Sequence, residues 1–162
     1  MTRSVNEISV LAAKAACAAG APPAQAAQFG AAAGVHLGSG RAIDALCDAL
    51  AALPDGPVIA LPLDLMRIAE HAQDGHARGF VAGIDPALLQ SYLEALPYEA
   101  RLLDNGTVAL DLNRPAKRRA LGRIDLTDHI YAEWNALAAR LLVPESAASR
   151  LSGAGAGLTD ND

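Results

Sequence analysis

From Tyr98 to Asn113 the chain reads YEARLLDNGTVALDLN, two alternating stretches around Asp104-Asn105-Gly106. Alternation calls for strands and Asn-Gly calls for a tight turn, so this segment predicts a β-hairpin. Its register follows from the face that each slip exposes. A two-residue Asn-Gly turn pairs Arg101 with Leu110 and Glu99 with Leu112, mixing charged and apolar groups on one face. A three-residue loop, with Gly106 left-handed in a bulge, pairs Leu102 with Val108, Ala100 with Leu110 and Tyr98 with Leu112. The second register gives one uniformly apolar face and sets Glu99, Arg101 and Asp111 on the other.

That apolar face needs a cover. Ile130, Trp134, Leu137, Ala138 and Leu141 recur at helical spacing, predicting a helix from Thr127 or Asp128 to about Leu142 that lies over the sheet. Arg118 to Leu126 reads as a third strand, with Ile124 and Leu126 inward and Arg119, Arg123 and Asp125 outward. Upstream, Ser4-x-x-Glu7 is a capping box for a helix that Gly20 stops. Pro22-Pro23 opens a second helix to about Leu37. Gly38-Ser39-Gly40 then breaks the chain, and Ser39 is placed to cap a third helix from Arg41 to Leu53. Beyond the turn Pro54-Asp55-Gly56-Pro57, Val58 to Leu63 reads as a strand, with Pro62 marking a sheet edge. Asp64 to Ala72 reads as helix, Gly79 to Gly83 as a short strand, and Asp85-Pro86 as the start of a helix to Leu96. The class is α+β, with alanine-rich N-terminal helices and a small, mainly antiparallel sheet covered by the C-terminal helix. One domain spans 1–148, and a Gly/Ala-rich acidic tail spans 149–162.

Such a chain must build its core from small side chains, because 37 of its 162 residues are alanine and only six are Phe, Tyr or Trp. Helices made of alanine pack with their backbones close together. The net charge of −5 opposes general binding to nucleic acid or anionic membranes, both of which need a positive field. Cys17 and Cys47 form no CxxC pair and read as buried thiols of a reducing, cytoplasmic compartment. The uncharged run from Ala15 to Gly40 carries too many Pro, Gln and Gly residues to cross a bilayer.

In the basic cluster Arg114, Lys117, Arg118, Arg119 and Arg123, the residues Arg119 and Arg123 share their sheet face with Glu99, Asp111 and Asp125, which makes it a mixed-sign solvated surface. Glu70, His71, Asp74 and His76 have ligand chemistry, but the histidines are not four apart and Gly75 interrupts the helix, so no metal is expected. The segment Gly38-Ser39-Gly40-Arg41 is a glycine-rich helix entry whose N–H groups and arginine suit a phosphate or carboxylate. No strand precedes it, so the dinucleotide fingerprint fails. The opening helices faintly resemble those of the malate/L-lactate dehydrogenase family, but His36-Leu-Gly38-Ser39-Gly40 departs from that family's Ser-His-Gly segment and no activity is carried over. No nucleophile with a partnered base can be read from the spacing.

Taken with SVNEISVLAAKAACAAG and RLLDNGTVALDL, the stretch AARLLVPESAASRLSGAGAGLTDND gives the whole chain a resemblance to a family of uncharacterised bacterial proteins, a domain of unknown function. The match is most specific at SRLSGAGAGLTDND. The resemblance implies a small bacterial cytoplasmic protein and brings no activity, cofactor or catalytic residue. The expected function is non-enzymatic assembly, by self-association or with a protein partner, through a docking tail. That tail has spaced small residues, an apolar anchor at Leu158 and acidic Asp160 and Asp162, with Arg118, Arg119 and Arg123 as its receiving surface. The rival is a small-molecule binding protein or enzyme. It would hold an anionic group with Gly38, Ser39, Gly40 and Arg41, or with Ser149, Arg150, Gly153, Gly155 and Gly157. No cofactor, nucleic acid or membrane partner is expected.

Overall fold

A computed structural model describes residues 2–117 and 119–141. In chain order these form β1 (Thr2–Arg3), α1 (Val5–Ala18), α2 (Pro23–Gly38), α3 (Asp44–Ala51), α4 (Pro57–Glu70), β2 (His76–Phe80) and α5 (Pro86–Ala95). There follow β3 (Tyr98–Leu102), β4 (Thr107–Pro115), β5 (Ile124–Asp125) and α6 (Asp128–Ala139). Helices and small antiparallel sheets make the α+β class expected from the sequence.

The alanine-rich start folds as its capping signals dictate. Ser4 Oγ accepts from the Glu7 N–H (3.2 Å) and Glu7 Oε2 accepts from the Ser4 N–H (2.7 Å), closing the capping box of α1. Helix α2 lies against α1, α4 and α5 and so forms the centre of the helical layer. The α1–α2 crossing is built on absent side chains. A Cβ on Gly30 would strike the Ser9 carbonyl and sit 2.8 Å from Ala13 Cβ, and one on Gly34 would strike the Ser9 hydroxyl. Two glycines four apart thus cut a groove into α2 that receives the Ser9–Ala13 turn of α1. Ile8, Ala12, Ala15, Phe29 and Ala33 are buried around that contact.

The run Val58 to Leu63 is helix rather than strand, part of α4 with Pro57 in its first turn. Val58, Leu61 and Leu65 are buried, together with Pro62, and the three- and four-residue separations of Val58, Leu61 and Leu65 are helical. Pro62 lies inside this helix, where it contributes no N–H to the ladder. Ser39 does not cap α3. It terminates α2, and α3 begins after Ile43 with no side-chain cap.

The main sheet has the order β2-β4-β3, all antiparallel. The hairpin loop is the expected one: Leu102 pairs with Val108, Ala100 with Leu110, and Gly106 is left-handed at φ +81°. The third expected pair fails, because Tyr98 stands opposite Pro115 instead of Leu112. Contacts on the β2 side draw β4 away there: the Leu112 N–H donates to the Gly75 carbonyl (2.8 Å), and the Asn113 amide donates to the Asp74 carbonyl (2.8 Å). The short strand expected at Gly79–Gly83 begins earlier, at His76.

Helix α5 packs on β3, and α4 packs on β2 with Ile68 lying against Gly79. Helix α6 packs instead against α1. The reason lies in β5, which pairs with β1 (Arg3 with Ile124, Thr2 with Asp125) rather than extending the hairpin sheet. Ile124 and Leu126 do turn inward, as their alternation requires, and Trp134 is 1 % exposed.

Candidate functional site

The end of α2 explains what the glycine-rich segment does. The Ser39, Gly40 and Arg41 N–H groups donate to Val35 (3.0 Å), Leu37 (3.0 Å) and His36 (3.1 Å) carbonyls, with Gly40 at φ +75°. This is a Schellman closure. The backbone donors that suggested a phosphate cradle are therefore engaged on α2 itself, and that part of the expectation is corrected. What the closure achieves is to turn the Arg41 side chain back across α5.

Arg41 Nη2 donates to Glu94 Oε1 (2.7 Å) and Nη1 donates to Ser91 Oγ (3.0 Å). Ser91 is fully buried, donates to the Ala87 carbonyl (2.7 Å) and lies 2.8 Å from Nδ1 of His36, which is also fully buried. His36 Nε2 sits 2.6 Å from the Ala42 carbonyl, which can only accept, so Nε2 carries a hydrogen. Gln90 Nε2 adds a second bond to Glu94 Oε1 (2.8 Å). Burial alone would raise the Glu94 carboxyl, but the bonds from Arg41 and Gln90 and the field of Arg119 hold it below the usual carboxylate range. Glu94 is an ionised acceptor held in place from behind by a buried chain.

Glu94 opens onto a cleft of about 380 Å³ between the end of α2, α5, β3 and the segment 116–121. Val35, Leu93, Ala100 and Leu121 form its apolar side, while Ser39, Glu94, Glu99, Arg101, Lys117 and Arg119 supply polar groups. Glu99 is occupied by Arg101, whose Nε is 3.0 Å from Oε1, and more loosely by Arg114 at 3.9 Å. The Arg101 hydrogen bond lowers its carboxyl most. Lys117 and Arg119 are exposed, and neither forms an ion pair with another described residue.

The structure places two of the three arginines proposed as a receiving surface, Arg119 and Arg123, in different settings. Arg119 lines the cleft. Arg123 donates to the Thr2 carbonyl (3.0 Å) and to Thr2 Oγ1 (3.2 Å), clasping β1 to the start of β5. Arg118 lies outside the described residues, as do Ser149, Arg150, Gly153, Gly155 and Gly157. The other sheet face carries Glu99, Arg101 and Asp111 together, with Arg114 Nε 3.4 Å from Asp111, the mixed-sign surface read from the alternation. Among the described residues no three His, Cys, Asp or Glu side chains are placed to share a metal ion, and no helix is long and apolar enough to cross a membrane.

Sequence reasoning reached Ser39, Arg41 and Arg119 but not Ser91, His36, Glu94 or Lys117 as one site. A buried serine in the middle of the apolar stripe Leu88, Leu89, Tyr92, Leu93 is the signal that could have found them. Compared with protein-family models, curated proteins and solved structures, the chain finds no match. The functional reading rests on the geometry of the cleft.

Proposed function

We propose that the protein binds a small anionic molecule in the cleft between α2, α5 and β3. The observation that carries this reading is the placement of Lys117 and Arg119, two cations without an ion pair among the described residues, on the wall of a concave site with a fixed carboxylate and an apolar side. Its volume falls at the lower end of ligand sites, which run from about 300 to 1,000 Å³. A melting-temperature screen against nucleotides, sugar phosphates and carboxylic acids tests it. A ligand at a hundred times its Kd should add about 2.7 kcal/mol, or roughly 5–10 °C. The shift should vanish in Lys117→Ala/Arg119→Ala. If every anion acts no differently from sodium chloride at matched ionic strength, the reading is wrong.

A second reading shares the same cations. The acidic residues Asp160 and Asp162 complement the cleft in charge, so segment 149–162 of the same or a second copy is a candidate occupant in an assembly role. Deleting 149–162 should then lower the melting temperature or change the sedimenting mass. Unaltered values of both dispose of it.

A further inference from the structure

We infer that the ligand of this cleft is a dianion that also carries a hydroxyl group, with the anionic end on Lys117 and Arg119 and the hydroxyl donating to Glu94. The inference deepens the anion-binding reading and rests on it.

The charge count comes first. Behind the wall Arg41 pairs with Glu94, Arg101 pairs with Glu99 and Arg114 with Asp111, which leaves Lys117 and Arg119 as two cations with no ion pair to a described residue. A monoanion leaves one of these cations unmatched, and a dianion balances both. The two carboxylates differ in what they still offer. Glu99 faces cations at both oxygens, Arg101 at Oε1 and Arg114 at Oε2. Glu94 takes both of its bonds, from Arg41 and Gln90, on Oε1, and Oε2 receives no hydrogen bond from a described residue. With its side chain 35 % exposed, Glu94 presents a charged acceptor to whatever enters.

That acceptor is also held still. Arg41 is fixed by Ser91, and Ser91 by His36 and the Ala87 carbonyl, all through a fully buried pair. A site whose acceptor is positioned before binding selects a donor at one place on the ligand. An ammonium donor would add positive charge to a cleft already in surplus, whereas a hydroxyl donates without charge. The carbon skeleton between the two ends then lies along Leu93, Ala100 and Leu121.

Calorimetric titration of the full chain at pH 8, above the second phosphate ionisation near about 6, tests this with matched ligands. Glycerol 3-phosphate is compared with propyl phosphate, (2-hydroxyethyl)malonate with ethylmalonate, and O-phosphoethanolamine supplies the ammonium arm. The hydroxylated member of at least one pair should bind about tenfold tighter, the scale of one charge-assisted hydrogen bond. Glu94→Gln should shrink that ratio, while Lys117→Ala and Arg119→Ala should weaken both members alike. Equal affinities within both pairs, with binding still lost in the cation variants, overturn the hydroxyl inference and leave the anion cleft standing. A preference for O-phosphoethanolamine overturns it in favour of an ammonium donor. No binding by any of the five ligands overturns both readings. The wild-type ratios decide these cases even if Glu94→Gln does not fold.

Discussion

Replacing Ser91 by alanine removes one oxygen and disturbs three groups. The His36 ring nitrogen Nδ1 and the Ala87 carbonyl lose the hydroxyl that lies between them, and Arg41 Nη1 loses its acceptor. Both Ser91 and His36 are fully buried, so bulk water does not replace the lost partner. An unsatisfied buried polar group costs about 1–3 kcal/mol. Arg41 contributes less to the loss, because its side chain is 21 % exposed and can turn to water. The Ala87 carbonyl keeps its place in the α5 ladder. The sum is about 2 kcal/mol, or roughly 4–8 °C in Tm for a chain of this length. Urea denaturation should show a lower midpoint with an unchanged m-value. Binding should weaken as well, since Arg41 no longer holds Glu94 in one place. A Ser91→Ala protein with the wild-type midpoint and wild-type anion affinity would refute the reasoning, because the buried chain would then position nothing.

Three further outcomes follow from the packing and the charges. Gly30→Ala drives a methyl into the Ser9 carbonyl and should cost about 1–3 kcal/mol through the α1–α2 crossing, read as a fall in Tm, although alanine is the better helix former. Tyr92→Phe should leave stability at pH 7 unchanged or improve it, because the buried hydroxyl has no hydrogen-bond partner among the described residues. Burial raises the Tyr92 pKa above its unfolded value, so the wild type should lose stability as pH rises past about 10, and Tyr92→Phe should remove that part of the alkaline loss. Glu94 has the opposite sign. Its lowered pKa gives stability that is present above the unfolded carboxylate value and lost on acidification, and Glu94→Gln should flatten that acid limb in pH-dependent melting.

Most local signals in the sequence held where one element decides its own form, Ser39 being the exception, since it ends α2 and does not cap α3. The capping box at Ser4, the Asp85 cap, the Gly106 turn and the first two hairpin pairs are fixed by residues within a few positions of one another. The other errors arose where a distant segment decides. The hairpin slips at Tyr98 because Gly75 and Asp74 hold Leu112 and Asn113. Val58 to Leu63 is apolar enough to suit either strand or helix, and its proline pointed to an edge, while packing of Val58, Leu61 and Leu65 selected the helix. The destination of α6 depended on β5 meeting β1, which no periodicity reports. The candidate site is legible in the same proportion. Arg41 and Ser39 stood out beside glycines, yet Ser91 lies 55 residues from its histidine and looks, in the sequence, like one polar letter inside a leucine stripe.

The clasp between β1 and β5 also bears on the order in which the chain assembles. Arg123 and Thr2 are 121 residues apart, so their bonds close a loop that takes in almost every other element. Loop-closure entropy makes such a pairing favourable only after the intervening helices and hairpin have condensed. The two-residue strands are short and the clasping Arg123 is exposed, so few hydrogen bonds hold them once closed, and their anchorage is the buried Ile124 side chain and Arg3 over the Tyr131 ring. Hydrogen exchange should therefore find the amides of Arg3 and Ile124 opening without the core, followed by the first turn of α1 that Ser4 caps. The helix start with the clearest signal in the sequence, capped locally by Ser4 and Glu7, thus stands next to the pairing that is distant in the chain and closes last.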